Sequence, residues 1–128
     1  MQPSLLIAVA AGGAVGAVGR YLVVSGVGHW IGHGFPWGTL VVNVLGSIAM
    51  GVLVEVMAVV WSPSPEVRAL LVVGVLGAFT TFSTFSLDVV VLIDRGELLP
   101  ALAYILASVV VCVAGLYAGM HGMRAILA

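Results

Sequence analysis

Gly77-Ala78-Phe79-Thr80-Thr81-Phe82-Ser83-Thr84-Phe85-Ser86 lies in the middle of a long apolar stretch, between Val72-Val73 and Val89-Val90-Val91. Positions 80, 81, 83, 84 and 86 carry hydroxyls, and Phe79, Phe82 and Phe85 are three of the chain's four Phe. Thr and Ser are mediocre helix formers and Gly77 weakens the helix further, so a helix through this stretch is expected to break. In a bilayer a break is tolerated only where protein or a water-filled cavity satisfies the freed backbone groups. Such segments often set bare carbonyls and helix ends around an ion. The stretch therefore reads as an ion or substrate site inside a membrane protein.

Composition agrees with that setting. Of 128 residues, 62% are apolar and 7% charged, with a mean hydropathy of +1.30. Soluble domains carry roughly 25% charged residues. Crossing the hydrocarbon layer takes about 20 helical residues, and four stretches are long enough: residues 4–27, 39–61, 67–93 and 98–127. The expected fold is an all-α membrane protein, one four-helix transmembrane domain over residues 1–128 with a break in the third helix. Four short helices leave little room for a polar conduit, so the transporting unit is expected to be an oligomer. Met1-Gln2-Pro3-Ser4 lacks the positive n-region of a cleavable signal. The single Cys112 forms no intrachain disulfide. A net charge of −1 and the absence of Lys argue against a nucleic-acid partner.

The four Arg carry the topology argument. With both termini on one side, that side holds Arg68 and Arg124 and the other holds Arg95, joined by Arg20 if it reaches the interface. The positive-inside rule needs an excess of Lys/Arg on one side, and this chain has almost none. Insertion in both orientations is the expectation, with two opposed copies pairing about a two-fold axis in the membrane plane. So few charges also permit the reading that the count is uninformative.

The first helix carries Gly12, Gly13, Gly16 and Gly19, a smooth stripe for close helix approach. Arg20 follows. Deep in a span it is a functional candidate by default, and near an interface it snorkels to the headgroups beside Tyr21; both readings stand. The connection His29–Trp37 reads as interfacial, with Trp30 and Trp37 in the aromatic belt and the two His as surface residues. Glu55 and the Glu66/Arg68 pair are read as solvated, toward or in the loop Ser62-Pro63-Ser64-Pro65.

Two polar tracks flank the central stretch. Thr39, Asn43 and Ser47 recur at i, i+4 and i+8 on the second helix, and Tyr104, Ser108 and Cys112 do so on the fourth. Interhelical hydrogen bonding is one reading of such residues; a lining is the one that regular spacing favours. Phe82 and Phe85 are neighbours on one helix face, and a phenyl edge is positive. Rings turned edge-on among hydroxyls favour an anion without a full charge that would trap it. No Lys or Arg lies on this path. Neutral donors suit an ion that must be stripped of water yet released quickly, and the tightly hydrated anion that most needs them is fluoride.

These residues resemble the Fluc (CrcB-type) fluoride channels. The matching motifs are Gly19-Arg20-Tyr21, then residues 36–47 (Pro-Trp-Gly-Thr-Leu-Val-Val-Asn-Val-Leu-Gly-Ser), the stretch 77–86, and Tyr104 with Ser108, in order along nearly the whole chain. The resemblance implies an antiparallel, dual-topology homodimer in a prokaryotic inner (plasma) membrane, exporting cytoplasmic fluoride passively, with no enzymatic step. It implies fluoride contacts from Asn43, Phe82 and Phe85, further hydroxyl donors at Thr39, Ser83, Thr84, Tyr104 and Ser108, and Arg20 near the aqueous vestibules. It also implies a central structural Na⁺ held at the dimer axis by the backbone carbonyls of Gly77 and Thr80 from both chains. Two positions depart from the family pattern: Asp88 stands where Glu is more usual, and Cys112 where a hydroxyl is common.

Two other readings compete. A small four-helix proton-coupled exporter would carry a membrane-embedded Glu in the first helix, which has no acidic residue here. A non-transporting packing subunit would use its polar residues only to join helices and would carry no flux alone.

Overall fold

The four spans form, with shifted ends, in a computed structural model that describes residues 2–128. Helix α1 is Pro3–Ile31, started by a proline whose missing N–H costs nothing in the first turn. It stops at Gly32, which takes φ +96 and returns its N–H to the Gly28 carbonyl at 2.8 Å. His29 and Trp30 therefore lie in the last turn of α1, and the connection shortens to 32–36. Helix α2 is Trp37–Val59, which leaves Trp61 outside.

The third span, Pro65–Asp94, is two pieces. Ser64 caps its start by accepting from the Val67 N–H at 3.2 Å. Residues 65–79 form α3, of which Ala69–Leu76 is wound as a π-helix. Thr80 (φ −89, ψ 159) and Thr81 (φ −152, ψ 121) are extended. Helix α4 then runs Phe82–Asp94, capped by Thr81 Oγ1 accepting from the Thr84 N–H at 3.2 Å. Gly96, at φ +77, makes the turn into α5, Leu98–Leu127.

Lipid gives helices no hydrophobic reason to associate, so close backbone contact must do it. Gly12 and Gly74 face each other across α1 and α3; a Cβ on Gly12 would strike the Leu70 carbonyl, and one on Gly16 the Val75 carbonyl. Gly13 instead faces open space. The second pair is α2 with α5, where Gly51 meets the backbone at Leu116 and Gly119 that at Ile48. These two helices run parallel because one complete span separates them. Large apolar residues such as Leu6, Ile7, Leu99 and Val113 point outward, while Thr39, Glu55 and Ser108 are buried.

Glu55 corrects the sequence reading. It is only 4% exposed, and Arg124 grips both its oxygens, Nε to Oε1 at 3.0 Å and Nη2 to Oε2 at 3.1 Å. Four residues remain in α2 after Glu55, so it points into the α2–α5 seam instead of the loop. Glu66 and Arg68 do not pair with each other; Glu66 accepts from Ser4, and Arg68 donates to the Met57 sulfur.

Candidate functional site

Parallel α2 and α5 bring the two polar tracks side by side in register. Thr39 lies beside Tyr104, and Ser47 beside Cys112. Asn43 and Ser108 occupy the middle step of each track. The break between α3 and α4 closes the third side. Together they wall a cavity of about 400 Å³ lined by Asn43, Ser47, Thr80, Thr81, Phe82, Phe85, Ser108 and Cys112, with Leu76 and Met50 among its apolar lining.

Asn43 organises the break. The Thr81 N–H donates to its Oδ1 at 2.8 Å, and its Nδ2 donates to the Thr81 carbonyl at 3.1 Å. One amide hydrogen of Asn43 remains for another acceptor, since a carboxamide carries two. The consequence reaches back along the chain. In an uninterrupted helix the Thr81 N–H would bond the Gly77 carbonyl, and the Thr84 N–H the Thr80 carbonyl. Both amides are diverted to side chains, the first to Asn43 and the second to Thr81 Oγ1. Among the described residues no turn, loop or cap backbone bond ends on the carbonyl of Gly77 or Thr80. Thr80 folds its own hydroxyl and N–H back onto the Leu76 carbonyl, at 3.1 and 3.2 Å.

Phe82 and Phe85 are neighbours, with ring centroids 5.4 Å apart and planes inclined at 45°. They live in different surroundings. Phe85 is 9% exposed and packs on Tyr104 at 5.1 Å, in a cluster with Leu92, Ala101 and Phe35. Phe82 is 77% exposed on the open side of the cavity. Tyr104 is fully buried and donates its hydroxyl to Asp88 Oδ2 at 2.9 Å, which gives Asp88 a partner one span away.

The remaining candidates are spread out. Ser83 and Thr84 do not line the cavity; the Ser83 hydroxyl is 3.4 Å from that of Thr81, and Thr84 gives its N–H to the same group. Arg20 lies outside the cavity lining and donates Nε to the Ala78 carbonyl at 3.0 Å, so it braces the last turn of α3. Thr81 is a functional residue that its position in the central stretch does not single out; only its contact with Asn43 distinguishes it from the other hydroxyls there. Ser108 is 8% exposed, and its Oγ has no hydrogen-bond partner among the described residues. The cavity thus offers neutral donors, an aromatic wall and no cationic side chain, inside four apolar helices. Such a set can replace part of the water shell of a small anion.

The family model for CrcB-like protein, Camphor Resistance (CrcB), matches residues 7–120. A protein of Rhodospirillum centenum is 56% identical over 124 residues, 97% of this chain and 98% of its own length. One from Nitrobacter winogradskyi is 52% identical over 126 residues, 98% of this chain and 100% of its own. A third, from Chelativorans sp., is 54% identical over 122 residues, 95% and 98% of the two chains. Each of the three bears the name "Fluoride-specific ion channel FluC".

Proposed function

The chain belongs to the CrcB-like family, and from that membership we propose that it is a fluoride-selective channel which lets cytoplasmic fluoride leave passively down its electrochemical gradient. It is a multi-pass protein of a prokaryotic plasma membrane and a transporter, not an enzyme. The single observation that carries the reading is the donor-lined, cation-free cavity between α2, α5 and the break at Thr80 and Thr81.

In this reading the free Nδ2 hydrogen of Asn43 and the unpartnered Ser108 hydroxyl receive fluoride as it loses water. Phe82 and Phe85 present ring edges to it. Thr39 and Tyr104 lie outside the cavity lining, and the Tyr104 hydrogen is committed to Asp88, so the pair acts by positioning Phe85, while Ser83 and Thr84 act through Thr81 at the start of α4. Arg20 would stand toward the vestibule while its Nε holds the Ala78 carbonyl. Neutral groups keep each stop shallow, so the ion moves on.

The conducting unit is an antiparallel homodimer of oppositely inserted copies. The lack of a clear Lys/Arg excess on either side, Arg68 and Arg124 against Arg95 with Arg20 inside the first span, supports it. A structural Na⁺ at the dimer axis would be held by the Gly77 and Thr80 carbonyls of both chains. The loss of both carbonyls' usual helix donors supports that assignment, because a hard cation takes bare oxygen ligands. Its charge would fix the two breaks against each other.

The test is efflux from liposomes containing only this purified protein, followed with a fluoride electrode and repeated for chloride. Rapid fluoride loss without chloride loss is expected. Folded, dimeric protein that carries no fluoride would refute the channel. Orientation is tested apart: a loop Cys engineered in a Cys112→Ser background should be labelled from both sides of the membrane, and access from one side alone would refute dual insertion.

A further inference from the structure

We propose that Cys112 is a thiol-modification site on the cavity wall, where a small uncharged thiol-reactive electrophile adds to sulfur and closes the anion path. The closing effect rests on the cavity being that path; the addition itself does not. Three observations meet here. Cys112 is the chain's only cysteine and lines the cavity of about 400 Å³. One helical turn before it on the same face, Ser108 is 92% buried (8% exposed) with an Oγ that has no partner among the described residues. Ser47 reaches the same wall from α2, beside the thiol.

The chemistry follows from what the wall is made for. A thiol attacks as its thiolate, a small anion whose charge must be received where it forms. Within a membrane bulk water cannot do this, so hydroxyl donors must. Ser108 has a hydroxyl hydrogen with no acceptor among the described residues, and Ser47 stands beside the sulfur. Burial among apolar side chains disfavours a thiolate, so the attack depends on these two hydroxyls receiving charge as it forms on sulfur. A hydroxyl at position 112 would give the same donor pattern with no such reactivity, so the property belongs to this chain's thiol.

The step balances with methyl methanethiosulfonate as the probe. The Cys112 sulfur bonds to the methylthio sulfur, the S–SO₂ bond breaks with its electron pair leaving on methanesulfinate, and the thiol proton departs with that leaving group as methanesulfinic acid, which ionises on reaching the aqueous phase. The product is a mixed disulfide carrying a methylthio cap in the cavity, reversible by dithiothreitol.

The experiment treats the reconstituted dimer with this reagent and reads intact mass and fluoride efflux on the same sample. One methylthio adduct per chain, efflux reduced to that of protein-free liposomes, and recovery with dithiothreitol are expected. Cys112→Ser takes up no reagent and keeps whatever efflux it has. Two results overturn the proposal: an adduct that forms only after denaturation in sodium dodecyl sulfate, or a complete adduct with efflux unchanged. Absent efflux before treatment would instead refute the fluoride reading, and the mass measurement would still decide whether the native thiol is modified.

Discussion

Asn43 holds the peptide of Thr81 by both its ends, accepting the N–H at 2.8 Å and donating to the carbonyl at 3.1 Å. One side chain of α2 thus stands in for the helix that the third span lacks at this point. It also releases the Gly77 carbonyl from its ordinary partner. The bare Gly77 carbonyl follows from this pair of bonds, and the bare Thr80 carbonyl from the neighbouring cap, where the Thr84 N–H goes to Thr81 Oγ1.

Asn43→Ala removes both bonds and leaves two backbone groups of Thr81 without partners. The expected loss is about 1–3 kcal/mol of stability, given the modest net value of hydrogen bonds inside membranes. Asn43→Asp, when ionised, keeps an acceptor for the Thr81 N–H but sets a second carboxylate oxygen against the Thr81 carbonyl and places a charge between the helices, so a loss at least as large is expected. Thermal unfolding in detergent measures both; equal stability of Asn43→Ala and the parent chain would show that the bridge does not hold the break.

Phe82 and Phe85 should separate when each is replaced by Ile. Phe85 is packed against Tyr104, so Phe85→Ile is expected to cost about 1–2 kcal/mol and to lower fluoride flux. Phe82 is exposed in this chain, and Phe82→Ile should lower flux with the melting temperature nearly unchanged. A fluoride electrode and a melting curve on the same preparations decide it. Unchanged flux in both variants would remove the rings from the conduction mechanism.

Arg124→Ala leaves the Glu55 carboxylate buried without its cation, which is worse than removing both charges. The melting temperature should fall in Arg124→Ala and recover in part in Glu55→Gln/Arg124→Ala. Additive losses in the double variant would mean that the pair contributes nothing through its contact.

Gly16 and Gly13 provide a matched comparison on α1. A methyl at Gly16 runs into the Val75 carbonyl, so Gly16→Ala should destabilise by about 1–3 kcal/mol through forced separation of α1 from α3. Gly13 faces open space, and Gly13→Ala should be neutral or gain up to about 1 kcal/mol of helix propensity. Denaturant titration of the two variants gives the sign; matching losses would mean that Gly13 also packs on something.

The class of the molecule, its four spans and the polar tracks are legible in the order of residues. Each depends on a property carried along one helix: apolar length for the spans, a four-residue period for Thr39-Asn43-Ser47 and Tyr104-Ser108-Cys112. Helix ends were legible to within a few residues, because Gly32 and Gly96 mark the turns but propagation carries α1 on through Trp30. Tertiary structure alone decided which groups meet. Asn43 could have faced any neighbour until α2 was set beside the break, and Glu55 looked like a loop residue until α5 brought Arg124 to it. The exposure of Phe82 against the burial of Phe85 is equally silent in a motif where both stand among hydroxyls. Periodicity is a property of one helix, whereas partners for buried polar groups are chosen between helices, by backbone approach at Gly12, Gly16, Gly51 and Gly119 that no local pattern specifies.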